Sequence, residues 1–198
     1  MASRQAKRDD LKARLIAAAR ERIESQGVRN LRARDITQDA GCALGGLYTA
    51  FSDLQTLIIH VNGETLNALS GHLSKAREGT NGPRDELRAL ALAYLDFAET
   101  HRALWFALFD ATSLADTPIP DWHRAQQADL VRLIAEPLSR IETTLAQEAL
   151  VNRAQALFAA VHGIVTISLE ERAIGLSGQA LRDELILLLD RMIAIRDA

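Results

Sequence analysis

The basic side chains of this 198-residue chain are concentrated at its N-terminal end. Residues 1–34 hold ten Lys and Arg against four Asp and Glu, whereas the rest of the chain holds 13 against 22. Clustered guanidinium and ammonium groups bind phosphates, so the pattern favours a surface for a polyanion such as nucleic acid. A solvated helix face explains the same charge equally well.

Residue types that perform catalysis do not occur at useful spacings. The sequence has no HExxH, no Glu-x-x-His, no phosphate-cradling glycine loop and one cysteine, Cys42. Zinc, di-metal and nucleotide chemistry each depend on one of these patterns. We therefore predict a protein that is not an enzyme and has no catalytic residue, metal or cofactor. For Cys42, which lies in a turn, buried packing is favoured over redox sensing.

The elements that position the basic residues are helices, because apolar residues recur at intervals of three and four and strand-like alternation is scarce. Leu11, Leu15, Ala19 and Ile23 form a first stripe, which stops at Gly27. Two short segments follow, about 32–39 and 44–50, with Ala40-Gly41-Cys42-Ala43 between them. A short helix, a glycine turn and a second short helix form the helix-turn-helix pattern.

The rest of the chain also reads as helical, which predicts an all-α fold of about nine helices. Glycine clusters and the prolines Pro118 and Pro120 separate the segments, with a loop over 112–121. The later helices are predicted at about 53–77, 83–101, 103–110, 121–144, 148–174 and 179–196.

The stretch from Gly27 to Phe51 resembles the DNA-binding signature of the TetR family of bacterial transcriptional regulators. The resemblance is carried by Arg34-Asp35-Ile36, Ala40-Gly41, Gly45, Leu47-Tyr48 and Phe51. It implies a DNA-binding domain at residues 1–52 and a helical ligand-binding and dimerisation domain at 53–198. In a helix-turn-helix the second helix enters the major groove. The expected DNA contacts are Arg32, Arg34, Leu44, Gly45, Gly46, Tyr48 and Thr49.

Two of these residues match family positions that reach DNA. Arg34 can bond a guanine edge or hold a phosphate, and Tyr48 matches a phosphate-binding tyrosine, although an aromatic there can also be half-buried packing. The second helix departs from the family at Ala43, where a capping hydroxyl is usual, and it contains Gly45 and Gly46. A missing cap and two glycines predict a poorly stable recognition helix, with the glycines allowing close approach to DNA.

The resemblance also implies a small-molecule effector, since family members bind ligands among their C-terminal helices. Sites between bundle helices are mostly apolar with a few polar groups, although aromatics at helical spacing are more often core. The expected ligand-binding residues are Tyr94, Phe97, Trp105, Phe109, Trp122, Phe158, His162 and Thr166.

The final helix is apolar on two faces, which predicts a partner subunit for one of them. Leu181, Leu185, Leu188 and Met192 form the stripe expected at the homodimer interface. A centrally buried helix in a monomer is the alternative.

Together these features predict a dimeric repressor of a palindromic, double-stranded DNA operator, released by a small, largely apolar ligand. The alternative is a dimeric DNA-binding protein whose C-terminal domain only dimerises or docks another protein. The longest charge-free run, 154–169, is too short to span a bilayer, and no leader sequence is expected. We expect no membrane partner and a cytoplasmic location.

Overall fold

A computed structural model of the chain describes residues 4–110, 117–170 and 175–194. These residues form nine α-helices and no strand, which confirms the predicted all-α fold. A single 3₁₀ turn at Val28–Asn30 follows the first helix. The helices are α1 (Arg4–Gln26), α2 (Ala33–Asp39), α3 (Leu44–Ala50), α4 (Leu54–Ala76), α5 (Pro83–Thr100), α6 (Arg102–Phe109), α7 (Asp121–Ile141), α8 (Gln147–Leu169) and α9 (Gly178–Ala194).

Most helices begin and end close to the predicted residues. The residues that indicated these limits have the conformations expected of them. Gly27 and Gly41 adopt φ of 78° and 64°, the left-handed region that a helix end and a tight turn require. Asp53 accepts a hydrogen bond from the Thr56 amide at 2.6 Å and so caps α4. Pro83 occupies the first position of α5, where its missing amide hydrogen costs nothing.

Some predicted limits need correction or lie outside the described residues. Helix α7 ends at Ile141, three residues before the predicted limit. Helix α8 ends at Leu169, and the last part of its predicted span, 171–174, is outside the described residues. The same holds for residues 112–116 of the predicted 112–121 loop and for the end of the predicted last helix.

The chain divides into two compact units, and the division does not fall at residue 52. The first unit contains the chain up to Asn67 together with His101–Arg124. The second contains Ala68–Thr100 and the described residues from Ala125 onward. The first unit is larger than the helix-turn-helix because its apolar core includes Leu57 and Val61 of α4 and Leu104 of α6.

Helix α8 is apolar and little covered by the rest of the chain. Of the described helices it is the one that is long and apolar enough to cross a membrane, judged by length and composition alone. The helix is longer than the charge-free run of 154–169 because it also includes residues 147–153. Only 28% of its most apolar stretch is buried within the chain. An apolar surface is therefore left on α8 in the single chain.

Candidate nucleic-acid interface and ligand cavity

The helix-turn-helix is held on α1 by a buried core and by arginines at its edge. Ile36, Leu47 and Phe51 are buried in the core that packs the two short helices against α1. Arg22 donates to both carboxylate oxygens of Asp39, at 2.5 and 3.1 Å, and these hydrogen bonds lower the pKa of Asp39. Arg14 donates to the carbonyl of Ala40 at the start of the turn. These hydrogen bonds hold the end of α2 and the start of the turn on α1.

Most of the predicted DNA contacts share the solvent-exposed side of this motif. Tyr48 is 56% exposed, so its ring is not half-buried packing in the free chain. A Cβ added to Gly45 would meet no atom within 4 Å, which places this glycine toward open space. The Thr49 hydroxyl donates to the Gly45 carbonyl at 2.9 Å. The remaining exposed members of the predicted set are Arg32, Arg34 and Leu44.

Gly46 does not belong to this exposed side, which corrects the prediction from the sequence. A Cβ on Gly46 would lie 3.3 Å from Sγ of Cys42 and 3.9 Å from Cδ2 of Leu11. Successive helical residues are about 100° apart, so when Gly45 faces solvent its neighbour turns toward α1. Gly46 therefore leaves room for Cys42, and the half-buried thiol agrees with the predicted packing role of that cysteine.

The start of α3 has no side-chain cap. Ala43 occupies the N-cap position with φ −70° and ψ 155°, and no side chain accepts from the first amides of the helix. The structure thus has no side-chain cap at the start of α3, as the sequence indicated. The low stability of α3 stays a prediction.

The second unit contains a partly open, apolar cavity of about 50 Å³. A single water needs about 10–15 Å³ of such space, so the cavity accommodates a group of several heavy atoms. Five helices line it, and the described residues contribute twelve lining side chains, none of them charged. They are Leu69, Leu73, Leu87, Leu90, Ala91, Tyr94, Leu130, Ile134, Leu157, Phe158, Val161 and Leu189.

Tyr94 is the one lining residue among these whose side chain can hydrogen-bond. Its hydroxyl lies 2.8 Å from Nδ1 of His162, and Nε2 of the same ring lies 3.4 Å from the Thr166 hydroxyl. The Phe158 ring stacks on His162 with centroids 5.5 Å apart. Burial lowers the pKa of His162, so its imidazole is neutral at pH 7. The cavity wall therefore holds a neutral hydrogen-bonded chain beside Tyr94.

Comparison with known proteins decides the family. The tetracyclin repressor-like C-terminal domain matches residues 87–192, which is more than half of the chain. The chain belongs to the TetR family. It is therefore a DNA-binding transcriptional regulator, as the signature in the helix-turn-helix implied.

Solved structures share the fold of this TetR-family chain along nearly its whole length. A protein of unknown function from Rhodococcus sp. RHA1 has a TM-score of 0.74 and 22% identity, over 92% of this chain and 93% of that one. RolR, solved in complex with resorcinol, has a TM-score of 0.73 and 19% identity, over 98% and 92%. A TetR transcriptional regulator from Rhodococcus sp. RHA1 has a TM-score of 0.66 and 14% identity, over 97% and 100%. No curated protein sequence matches the chain.

The predicted ligand residues of this TetR-family protein divide into separate groups. Tyr94 and Phe158 line the cavity, with His162 and Thr166 hydrogen-bonded behind them. Phe97 is buried in α5, where its ring lies 5.9 Å from that of His72, and does not line the cavity. The sequence could place these aromatics on helices but could not choose which helical face each occupies.

The other three aromatics correct the prediction, because they belong to the first unit. Trp105 is fully buried there, with its ring 5.3 Å from Phe109. Trp122 lies against His60, with ring centroids 5.0 Å apart. The aliphatic residues that do line the cavity were missed, since leucine at helical spacing carries no signal that separates a cavity wall from ordinary core.

The stripe predicted for dimerisation also needs correction. Leu181 is 2% exposed and Leu185 is fully buried within the single chain, so neither side chain is available to a partner. Leu189 and Ile193 complete the inward stripe at spacings of four, and Arg88 of α5 binds Asp190 of α9 through two hydrogen bonds of 2.8–2.9 Å. Leu181 and Leu185, which the sequence assigned to the partner subunit, therefore lie on the inward face of α9.

The other predicted interface residues, Leu188 and Met192, are half-buried. Leu187 on α9 is 48% exposed, and Ile167 on α8 is 37% exposed. These two belong to the apolar surface that the single chain leaves uncovered.

Proposed function

We propose that this TetR-family regulator is a homodimeric repressor that binds a palindromic operator and leaves it when a small, uncharged, apolar ligand enters the second unit. The observation that supports the proposal is the cavity lined by α4 and α7. Both helices begin in the first unit, which carries the helix-turn-helix, and end in the second unit. A ligand between them acts on the same helices that hold the DNA-binding unit.

Helix α4 is the proposed lever. Its N-terminal part supplies Leu57 and Val61 to the helix-turn-helix core, and its C-terminal part supplies Leu69 and Leu73 to the cavity. A ligand shifts an equilibrium only by its differential affinity for two states. We propose that it favours the state in which the two DNA-binding units of the dimer do not match successive half-sites.

The ligand class is supported by the cavity and by one relative. RolR was solved with resorcinol, a small uncharged phenol. The described wall of the cavity here is almost wholly hydrocarbon, with Tyr94 its one residue that carries a polar group. The presence of the cavity favours this proposal over a C-terminal domain that only dimerises or docks another protein.

The dimer is supported by the uncovered apolar surface of α8 and α9. Exposed apolar side chains such as Ile167 and Leu187 are costly in water, and a second copy of the chain would cover them by two-fold symmetry. We propose that this surface faces the partner subunit and not a lipid bilayer, that the protein acts in the cytoplasm and that it has no catalytic role.

Selection of bound sequences from random double-stranded DNA tests the proposal. We expect an approximate palindrome with half-sites about one helical turn apart or a small multiple of it. Arg34→Ala should either relax one base position by about 1–3 kcal/mol or weaken all sequences equally, according to whether Arg34 contacts a base or a phosphate. Tyr48→Phe should weaken all sequences equally. Asymmetric selected sites, or wild-type affinity in both variants, would overturn the proposed DNA-binding mode.

Release is tested by fluorescence anisotropy of the labelled operator. Resorcinol and 4-ethylphenol are titrated into the complex, and we expect at least one of them to lower operator affinity. The second test is Phe158→Ala, which removes a ring from the cavity wall and so enlarges the cavity. It should alter the ligand response and leave ligand-free operator affinity nearly unchanged. Equal loss of both would mean that Phe158 is only a core residue.

A further inference from the structure

The solvent-exposed side of α3 forms one patch, which consists of Leu44, Gly45, Tyr48 and Thr49. At about 100° per residue, these four positions cover one side of the helix and the buried residues lie on the other. Leu44 is 38% exposed and Tyr48 is 56% exposed, whereas Leu47 is fully buried. In a helix-turn-helix, this exposed patch of α3 is the surface that faces the bases of the major groove.

The exposed patch of α3 is poor in groups that hydrogen-bond to bases. Arg and Lys bind the edge of guanine, Asn and Gln that of adenine, and Asp and Glu that of cytosine. Helix α3 contains none of these residue types. The Thr49 hydroxyl donates its hydrogen to the Gly45 carbonyl at 2.9 Å. A Tyr48 hydroxyl that binds phosphate, as the family resemblance implies, reads no base.

The patch instead offers hydrocarbon on either side of an open stretch of backbone. Leu44 contributes the methyl groups of its exposed side chain, and Thr49 contributes one methyl group beside its backbone-bonded hydroxyl. A Cβ added to Gly45 would meet no atom within 4 Å, so a group of the DNA can approach the backbone closely there. The 5-methyl group of thymine is the hydrocarbon group that base pairs present in the major groove. The surface of α3 therefore fits thymine.

The charges that attract DNA lie on the same motif but outside the patch. Arg32 and Arg34 are exposed, and neither has an ion-pair partner among the described residues. Arg22, in contrast, is held by Asp39. Unpaired guanidinium groups bind phosphates of any sequence. Positive charge thus supplies affinity for DNA in general, and the hydrocarbon patch is left to select the bases that α3 contacts.

We propose that α3 recognises thymine, with the exposed patch enclosing the 5-methyl group of one or two thymines in each half-site of the operator. This inference rests on the proposed operator binding through α3 and specifies which bases the helix selects. Cytosine at the same position lacks the methyl group and brings an amino group. Hydrocarbon contact would remove the hydrogen bond of that amino group to water without replacing it, which is unfavourable.

Deoxyuridine tests the proposal, because it pairs with adenine as thymidine does and lacks only the 5-methyl group. The probe is the duplex most enriched in the selection from random DNA, with one thymidine replaced at the same position of both half-sites. Operator anisotropy is measured at constant salt, since phosphate contacts are salt-dependent. We expect one or two positions to lose affinity by about fivefold to twentyfold, as two buried methyl groups predict, and the others to lose none. Unchanged affinity at every position would overturn the inference.

Variants of Leu44 and Thr49 identify the side chains that contact the methyl groups. At each affected position, either Leu44→Ala or Thr49→Ser should reduce the difference between the two duplexes to about twofold or less, because the contact is already lost. Thr49→Val keeps the methyl group and removes the hydroxyl, so it should retain the wild-type difference. A wild-type difference in both Leu44→Ala and Thr49→Ser would overturn the inference, as would a difference that depends on the Thr49 hydroxyl alone.

Leu176→Ala is the matched control, because Leu176 is 39% exposed and lies in the second unit. It should keep the wild-type ratio of affinities for the thymidine and deoxyuridine duplexes. Circular dichroism checks that the α3 variants are folded. Sequence-specific binding without a thymidine preference would overturn this inference alone. A selection that returns no preferred sequence would overturn both this inference and the proposed function.

Discussion

At the scale of single residues, the two adjacent glycines of α3 have opposite surroundings. Gly45 faces open space, whereas a Cβ on Gly46 would press on Cys42 at 3.3 Å. The sequence treated both as sites of close approach to DNA. Only Gly45 retains that role in the proposed DNA complex, because Gly46 is turned toward the protein.

Alanine at each position separates packing from DNA contact. Gly45→Ala should stabilise the free protein by up to about 1 kcal/mol through helix propensity and should lower operator affinity, because its methyl group faces the groove. Gly46→Ala should gain less stability or lose some, since Cys42 must move. The measurements are urea unfolding and operator anisotropy.

The double variant Cys42→Ala with Gly46→Ala is the control, because it removes the sulfur that the new methyl group meets. We expect the double variant to have a higher free energy of unfolding than the sum of the two single-variant changes predicts. Additive effects would contradict the contact.

Two half-buried histidines predict that acid destabilises the protein. Burial lowers the pKa of His162, and burial together with the charges of Lys12 and His123 lowers the pKa of His60. The unfolded chain then binds more protons than the native one below the ordinary histidine value of about 6.5. The stability that these neutral rings contribute is full above that pH and is lost as pH falls toward their native pKa values.

Urea unfolding between pH 7.5 and 5.5 measures this slope. His60→Gln and His162→Gln should each make stability less dependent on pH, and His72→Gln, at an exposed histidine, is the matched control. An unchanged slope in both the His60→Gln and His162→Gln variants would show that other groups control the acid response.

At the scale of elements, α3 is a seven-residue helix with no side-chain cap. A helix this short depends on packing for its stability, and only Leu47 and Ala50 are buried on it. We expect amide exchange over 43–50 to be fast compared with α1 in the free protein and to slow when operator DNA is bound. Ala43→Ser supplies a cap and should slow exchange in the free protein. Protection equal to that of α1 in the wild type would contradict the expected instability.

Helices α4 and α7 meet in the first unit through an aromatic contact. The ring of Trp122 on α7 lies 5.0 Å from that of His60 on α4, and the His60 ring lies 5.2 Å from that of Phe51, the residue directly after α3. Both helices also line the cavity of the second unit. This chain of rings therefore joins the two cavity helices to the end of the recognition helix.

Removal of the Trp122 ring should weaken the coupling between ligand and DNA. In Trp122→Ala we expect 4-ethylphenol affinity to change little, while its effect on operator affinity falls by about 0.5–2 kcal/mol. Phe109→Ala removes a similarly exposed ring of the same unit and is the control. Wild-type coupling in Trp122→Ala would exclude this contact from the transmission of the ligand signal.

At the scale of the whole molecule, the uncovered faces of α8 and α9 decide the oligomeric state. Ile167→Glu with Leu187→Glu places two charges on these exposed faces and should give a folded monomer with much weaker operator binding. Leu185→Glu should instead unfold the chain, because Leu185 is part of its own core. Sedimentation and circular dichroism distinguish the two outcomes.

The control for that pair is Ala125→Glu with Ala128→Glu, which adds the same charge to exposed positions of α7. It should remain dimeric. A folded Ile167→Glu, Leu187→Glu variant that still sediments as a dimer would place the subunit interface elsewhere.

The sequence by itself determined what depends on local chemistry. Apolar spacing predicted the helices, Gly27 and Gly41 predicted an end and a turn that require positive φ, and two short segments around a glycine turn predicted the helix-turn-helix. These signals act within a few residues along the chain, so neighbouring residue types are sufficient to state them.

Only the tertiary structure decided which face of each helix turns inward. Periodicity showed two apolar stripes on α9, yet the packing of α9 on α5 and α8 buried Leu181 and Leu185 and left Leu187 exposed. It likewise assigned Trp122 to the first unit and aliphatic residues to the cavity. A one-dimensional pattern gives the angle between side chains on a helix, but the direction of the core is set by helices distant in the chain.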